Sequence, residues 1–129
     1  MPLMRIDLVE GRGEDQIHAI SQAVHAAMLA AFNVPERDRY QIITEHKSAR
    51  LVMEDTGLDI PRTDSRVMIQ VITRPRPREQ KQNLYRLLCE ELHRNAGILP
   101  TDVMVSIVEN ADEDWSFGHG RAQFLTGEL

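Results

Sequence analysis

Two arginines near the middle of the chain have a spacing that suggests chemistry. Arg74 and Arg76 lie in the segment ITRPRPRE, directly after an apolar run. Side chains two residues apart in extended backbone point to the same side. Because each guanidinium offers a planar fork of N–H donors, the pair can clamp a carboxylate. The carboxyl ends of strands are favoured places for such sites in parallel α/β units. A solvated basic loop is the alternative interpretation of the same residues.

The second candidate is Pro2, which directly follows the initiator methionine. Methionine is usually removed when the second residue is small, and trimming would leave the proline nitrogen as a free secondary amine. The ring fixes the direction of this amine, which can act as an acid, a base or a nucleophile. The structural alternative is that proline, which lacks an N–H, is tolerated as the first residue of a strand.

Asp38, in the segment VPERDRY, is the third candidate. Its carboxylate could hydrogen-bond the Pro2 nitrogen or activate a water. However, Asp102 occupies a similar place in LPTDVM, and two aspartates in matching turns suggest turn capping. The sequence leaves the catalytic and the structural role of Asp38 both open.

The composition limits the class of protein. With 42% hydrophobic and 27% charged residues, the chain is typical of a soluble globular protein, and its net charge of -5 argues against nucleic acid or anionic membranes as partners. We expect no signal peptide, because charged residues appear before any apolar run develops, and no apolar stretch is long enough to span a membrane. The single cysteine, Cys89, excludes an internal disulfide, so we expect a cytoplasmic protein. The five histidines form no HExxH or CxxC-type ligand set, so we expect no metal site.

The elements that must position these candidates form a repeat. A shift of 64 residues aligns the chain with itself. It aligns the segment from Leu3, LMRIDLVEGRGEDQ, with the segment from Val67, VMIQVITRPRPREQ, and it aligns NVPERDRYQIIT with GILPTDVMVSIV. Each copy has the pattern strand, helix, strand, with predicted strands at residues 3–9, 39–44, 67–73 and 103–109. The segments between the strands carry apolar stripes with helical spacing.

A strand–helix–strand unit of this size is a right-handed βαβ crossover. Two copies predict an α/β fold (α+β in some schemes) with a four-stranded sheet and both helices on one face. We expect a single domain over residues 1–129, divided into unit 1 at about 2–45, a linker at 46–65, unit 2 at about 66–109 and an aromatic tail without helical period at 110–129. The strands of unit 2 are apolar on both sides, which predicts an oligomer whose sheets bury each other.

Together these features resemble the tautomerase superfamily, and especially the malonate semialdehyde decarboxylases. The resemblance runs the whole length and is carried by PERDRYQ, EDTGL, RPRPREQK and VENADEDWSFGHGRAQFLTGEL. It implies that Pro2 is the catalytic amine and that Arg74 and Arg76 bind the substrate carboxylate. It also implies that Asp38 positions the Pro2 amine or activates a water. It also implies a homotrimer with three sites, no cofactor, and an apolar wall made of Trp115, Phe117, Phe124 and Leu129.

The activity implied by this resemblance is that of a carbon–carbon lyase, the decarboxylation of malonate semialdehyde, a small 3-oxo acid, to acetaldehyde and CO2. Protonated Pro2 would polarise the carbonyl, whereas neutral Pro2 would form an iminium. A nearby Asp38 favours the protonated amine, and the two arginines oppose it. The alternative is a keto–enol tautomerase or hydratase of a small 2-oxo acid such as phenylpyruvate, or of an acetylenic or haloacrylic analogue. The non-enzymatic alternative is an oligomeric small-ligand binding module.

Overall fold

The secondary structure consists of two strand–helix–strand units followed by a short helical tail. The structure is a computed structural model that describes all 129 residues. Its helices and strands are β1 (Leu3–Val9), α1 (Glu14–Phe32), β2 (Tyr40–His46), β3 (Val67–Thr73), α2 (Arg78–Ala96), β4 (Val103–Glu109) and α3 (Gln123–Thr126). Short 3-10 turns occupy residues 48–50, 100–102 and 112–114. None of the helices combines the length and the apolar character needed to cross a bilayer.

The four strands form one mixed sheet in the order β2-β1-β3-β4. Strand β1 runs parallel to β2 and β3 runs parallel to β4, whereas the two central strands β1 and β3 are antiparallel. The predicted tandem βαβ architecture is therefore confirmed. Because β1 and β3 are antiparallel, the start of β1 lies beside the end of β3.

Helices α1 and α2 pack side by side against one face of the sheet, as predicted. Asn33 caps the end of α1 and Gly97 caps the end of α2, both in the left-handed conformation that commonly terminates helices. Pro77 directly precedes α2, where its missing N–H costs nothing. The fully buried core side chains come from both helices and the central strands: Met4, Ile6, Leu8, Ile20, Val24, Met28, Val67, Ile69, Leu84, Leu88 and Leu92.

The opposite face of the sheet carries apolar side chains that the chain itself does not cover. Ile42, Met104 and Val108 are exposed on this face, and Met68 and Ile72 are half-buried. A sheet that is apolar on its uncovered face normally packs against another layer. The expectation of strands that are apolar on both sides is thus met in the structure.

The repeat is less regular than the sequence suggests. The starts of β1 and β3, Leu3 and Val67, are 64 residues apart, but the starts of β2 and β4, Tyr40 and Val103, are 63 apart. The predicted strand at 39–44 is therefore wrong by one residue at its start, and it extends to His46. A one-residue shift points a side chain to the other side of a strand.

The linker is hydrogen-bonded to the residue before β3, and the tail contains a short helix. The Arg66 guanidinium donates from Nε to the Leu51 carbonyl at 2.8 Å and from a terminal nitrogen to the Ser48 carbonyl at 2.6 Å. The tail was expected to lack helix, yet it contains the four-residue helix α3 and a bridge between Gly118 and Arg121. A single helical turn is too short to produce a helical period in the sequence.

Candidate active site

The antiparallel centre of the sheet brings Pro2 to the two arginines. Leu3 pairs with Ile72, so Pro2 lies at the end of β3, where Thr73 leads into Arg74. Pro2 is buried at this point. Pro2 and Arg74, which are more than 70 residues apart in the sequence, therefore lie at the same end of the two central strands.

Each arginine of the pair is held through its Nε atom. Arg74 Nε donates to Asp112 Oδ1 at 2.6 Å, and Arg76 Nε donates to Thr73 Oγ1 at 3.1 Å. The Arg76 guanidinium also lies over the Phe32 ring, 4.6 Å from its centroid. The terminal nitrogens of both guanidiniums make no hydrogen bond within the chain, so both retain N–H groups for a bound anion.

The aromatic side chains of the tail form a cluster around Phe117. The Phe117 ring stacks on Trp115 at 5.6 Å, meets Phe124 edge to face at 5.4 Å, and contacts Tyr40 of β2 at 5.7 Å between centroids. The Arg74 guanidinium lies 4.1 Å from the centroid of Phe124. The cluster therefore adjoins Arg74 through Phe124, while Leu129 lines a cavity beside Met1, and Tyr40 is an addition that the sequence analysis missed.

The two aspartates of the repeat have different environments. Asp102 is 1% exposed and accepts hydrogen bonds from the backbone N–H of Thr63, at 2.6 Å, and from its hydroxyl. Asp38 is 8% exposed, makes no side-chain hydrogen bond, and has Oδ2 3.7 Å from the Met1 nitrogen. Asp102 therefore fastens the linker, whereas the Asp38 carboxylate faces the chain start. The suggested equivalence of Asp38 and Asp102 is wrong, because the second strands are offset by one residue.

The electrostatic environment of the chain start is set by burial and by three charged side chains. With Met1 attached, the Pro2 nitrogen is an amide, and the Met1 amine is the free amine beside it. Burial lowers the pKa of the Met1 amine, and Arg76 and Arg74 lower it further, while Asp38 raises it. Burial and the like charge of Arg74 also lower the pKa of Arg76. At the Met1 amine, then, the effects that favour the neutral form outweigh the Asp38 carboxylate.

A cavity of about 410 Å³ lies beside Met1. Its lining residues are Met1, Arg37, Asp38, Tyr40, Phe117, Gln123, Glu128 and Leu129. A larger cavity of about 540 Å³ lies between the linker and β4, and it contains none of the predicted site residues. No group of three or more His, Cys, Asp or Glu side chains converges with metal-binding geometry.

Gln123 and Asp112 are site-supporting residues that the sequence analysis did not single out. The buried Gln123 donates from Nε2 to the Gly118 carbonyl at 2.8 Å and accepts from the Phe117 N–H at 2.9 Å. Their partners lie at irregular distances along the chain, so no periodic spacing identifies them. Cys89 and His119 make no hydrogen bond or ion pair at the site, and burial raises the pKa of the Cys89 thiol.

Comparison with known proteins places this geometry in a family. A family model described as tautomerase enzyme matches residues 38–118, and a second with the same description matches residues 2–59. The chain is 50% identical to the probable tautomerase YrdN of Bacillus subtilis (strain 168), over 100% of both chains. It is 36% identical to the probable tautomerase YusQ of the same organism, over 97% of this chain and 99% of the relative.

Solved structures agree with this assignment. The chain superposes on a malonate semialdehyde decarboxylase with a TM-score of 0.96 at 50% identity, over 98% of each chain. The structures of that enzyme were described as a basis for its decarboxylase and hydratase activities. Another malonate semialdehyde decarboxylase, inhibited by 3-bromopropiolate, gives 0.94 at 44% identity over 98% of this chain and 97% of that one. A fused 4-OT shares the fold, with a TM-score of 0.79 at 18% identity over 97% and 98%. The chain therefore belongs to the tautomerase superfamily and is similar to malonate semialdehyde decarboxylase in sequence and in fold.

Proposed function

We propose that this protein decarboxylates malonate semialdehyde at a site made of Pro2, Asp38, Arg74 and Arg76. The observation that carries the proposal is the arginine pair, in which each guanidinium is anchored through Nε and keeps its terminal N–H groups free beside the start of β1. The 50% identity to a malonate semialdehyde decarboxylase supports the same activity.

The proposed site requires removal of Met1. The Met1 nitrogen lies 3.7 Å from Asp38 Oδ2, and Met1 lines the cavity beside Asp38, so the residue occupies space that a substrate would need. Its removal would vacate that space and convert the Pro2 amide into a secondary amine. The amine would then lie at the base of the site, next to the carboxylate clamp.

The reaction follows from these positions. Arg74 and Arg76 hold the carboxylate, so that the bond to be broken aligns with the π system of the carbonyl. As that bond breaks, its electron pair passes into the carbonyl while CO2 leaves, and a protonated Pro2 stabilises the developing oxyanion. The resulting enolate takes one proton at carbon, supplied by water, and gives acetaldehyde. The aromatic cluster around Phe117 provides an apolar wall, which favours neutral CO2 over the carboxylate.

A second candidate function is keto–enol tautomerisation or hydration of a small 2-oxo acid or an acetylenic analogue. The surroundings of Pro2 favour it, because Pro2 is buried and lies close to Arg74 at the end of β3, and both conditions favour a neutral amine that can accept a proton from a substrate carbon. The names of the two Bacillus subtilis relatives, both probable tautomerases, point the same way.

The working assembly that we propose is a homotrimer of a cytoplasmic enzyme without a cofactor. The uncovered face of the sheet exposes Ile42, Met104 and Val108, which a neighbouring subunit would bury. A fused 4-OT with the same fold was solved as a symmetric trimer. Sedimentation at micromolar concentration should give the mass of three chains, and the mass of one chain would contradict the trimer.

A substrate panel with pH–rate profiles tests the proposal. Met1-free protein is assayed on malonate semialdehyde by loss of the aldehyde acid, and on phenylpyruvate by enol formation. If Pro2 acts as an acid, kcat/KM falls as the pH rises through the pKa of its amine; if it acts as a base, kcat/KM falls as the pH drops through it. Turnover of phenylpyruvate alone would replace decarboxylation by the second function. Turnover of neither would favour the binding module.

A further inference from the structure

Arg37 is a cation at the candidate site that the proposed reaction does not use. It lines the cavity beside Met1, is exposed, and follows Glu36 in the loop between α1 and β2. Arg39, two residues later in the same loop, donates to the Ser21 hydroxyl at 2.8 Å and is thereby tied to α1. Arg37 has no hydrogen bond or ion pair within the chain, so its guanidinium is free to bind an anion.

The acidic residues that share the cavity do not neutralise Arg37. The Glu128 carboxylate lies 3.3 Å from the Arg121 guanidinium and accepts a hydrogen bond of 2.7 Å from the Thr126 hydroxyl. The Asp38 carboxylate faces the Met1 nitrogen instead. Arg37 is thus an unpaired positive charge on the wall of a concave site.

The cavity is larger than malonate semialdehyde requires. That substrate has six non-hydrogen atoms, and even at the ~30 Å³ that a water molecule takes in the liquid, they would fill only about 180 Å³. The cavity beside Met1 measures about 410 Å³ before Met1 is removed. Met1 borders this cavity, and the Pro2 that follows it lies at the end of β3, where Thr73 leads into Arg74, so removal of Met1 would extend the cavity toward the carboxylate clamp.

We propose that Arg37 is a second carboxylate-binding residue and that the site prefers oxo diacids to oxo monoacids of equal length. One carboxylate would bind Arg74 and Arg76, the oxo group would face Pro2, and the second carboxylate would reach Arg37. Tyr40 and Phe117, which contact each other on the cavity wall, would flank the carbon chain between the two ends. This assignment rests on the proposed function for the placement of the first carboxylate.

The matched substrates are 3-oxoglutarate and 3-oxopentanoate, which share a five-carbon skeleton and differ in the second carboxylate. In each, the bond to the carboxylate breaks, its electron pair passes into the ketone, CO2 leaves, and the resulting enolate takes one proton at carbon from water. The products are acetoacetate and butanone, respectively. In Met1-free protein, we expect kcat/KM to be about five- to tenfold higher for the diacid, the effect of one charge-assisted contact that is partly open to solvent.

The deciding variant is Arg37→Gln, with Arg94→Gln as the control for the loss of one positive charge. Arg94 lies in the last turn of α2, where it pairs with Glu91 at 3.4 Å, outside the candidate site. Arg37→Gln should reduce the diacid-to-monoacid ratio of kcat/KM to about two, the factor that remains because the symmetric diacid has two equivalent carboxylates to lose, and Arg94→Gln should leave the ratio unchanged. An unchanged ratio in Arg37→Gln, or no diacid preference in the parent protein, would overturn the assignment.

A binding measurement separates this assignment from the proposed reaction. The Kd values of glutarate and pentanoate, two unreactive acids of equal length, are measured by calorimetry on Met1-free protein and on both variants. Tighter binding of glutarate that Arg37→Gln abolishes supports the assignment even if no oxo acid is decarboxylated. Equal Kd values for the two acids overturn it even if malonate semialdehyde is turned over.

Discussion

Asp112 should orient Arg74, so that Asp112→Ala lowers kcat/KM for malonate semialdehyde while the protein remains folded. Asp112 Oδ1 accepts from Arg74 Nε at 2.6 Å, and the two side chains are 46% and 39% exposed. An ion pair this open to solvent contributes about 0.2–1 kcal/mol to the free energy of unfolding. The Tm should therefore fall by at most about 5 °C in a protein of this size.

The expected loss of activity is bounded by the loss of Arg74 itself. Removing a charge-assisted contact with the substrate costs about 1.5–3 kcal/mol, a factor of roughly 10–150 in kcat/KM, which is the effect expected of Arg74→Ala. Asp112→Ala keeps the guanidinium and its position over Phe124, 4.1 Å from the ring centroid, and loses only the hydrogen bond at Nε. We therefore expect an intermediate loss of about three- to tenfold.

The assay is steady-state turnover of malonate semialdehyde by Met1-free protein, with thermal unfolding measured in parallel. Glu113→Ala is the matched control, because Glu113 lies in the same 3-10 turn, is exposed and makes no ion pair. If Asp112 acts through Arg74, the double variant Arg74→Ala/Asp112→Ala should be no less active than Arg74→Ala. Equal kcat/KM for Asp112→Ala and Glu113→Ala, or additive losses in the double variant, would refute the reasoning.

Two further comparisons test the surroundings of the site. Asp38→Asn should lower kcat/KM at least tenfold with little change in Tm. Asp102→Asn should instead lower the free energy of unfolding by about 1–3 kcal/mol, because the buried Asp102 accepts two hydrogen bonds from Thr63. Equal losses of stability in both variants would show that the role of Asp38 is structural. Gln123→Leu should lower both Tm and kcat/KM, since it leaves the Phe117 N–H without its acceptor at 2.9 Å; kinetics unchanged from the parent protein would show that the aromatic cluster keeps its geometry without this hydrogen bond.

The fold was predictable because its signals are local and periodic. The strands at 3–9, 67–73 and 103–109 agree with the structure, and the turn residues Pro77 and Gly97 delimit α2 as predicted. The second strand was displaced because a gapless repeat was extended through the loop after α1, where the two units differ by one residue. That single residue also separates the environments of Asp38 and Asp102.

The candidate site was predictable only where residues stand close together in the sequence. Arg74 and Arg76 are recognisable from their spacing, and the tail aromatics from their family pattern. The anchor of Arg74 is not, because Asp112 lies 38 residues further along the chain and is brought to it only by the fold. The direction of the pKa shift at Met1 was also out of reach, because burial, its largest cause, depends on the three-dimensional packing.

The most direct test of an amine-based site compares two forms of the same protein, one retaining Met1 and one treated with methionine aminopeptidase. Intact mass identifies each form, and both are assayed on malonate semialdehyde. With Met1 attached, the Pro2 nitrogen is an amide without a basic lone pair or a proton to donate, and Met1 lies beside Asp38 in the site. We expect turnover from the Met1-free form and none from the form that retains Met1. Equal turnover by both forms would contradict a catalytic Pro2 amine.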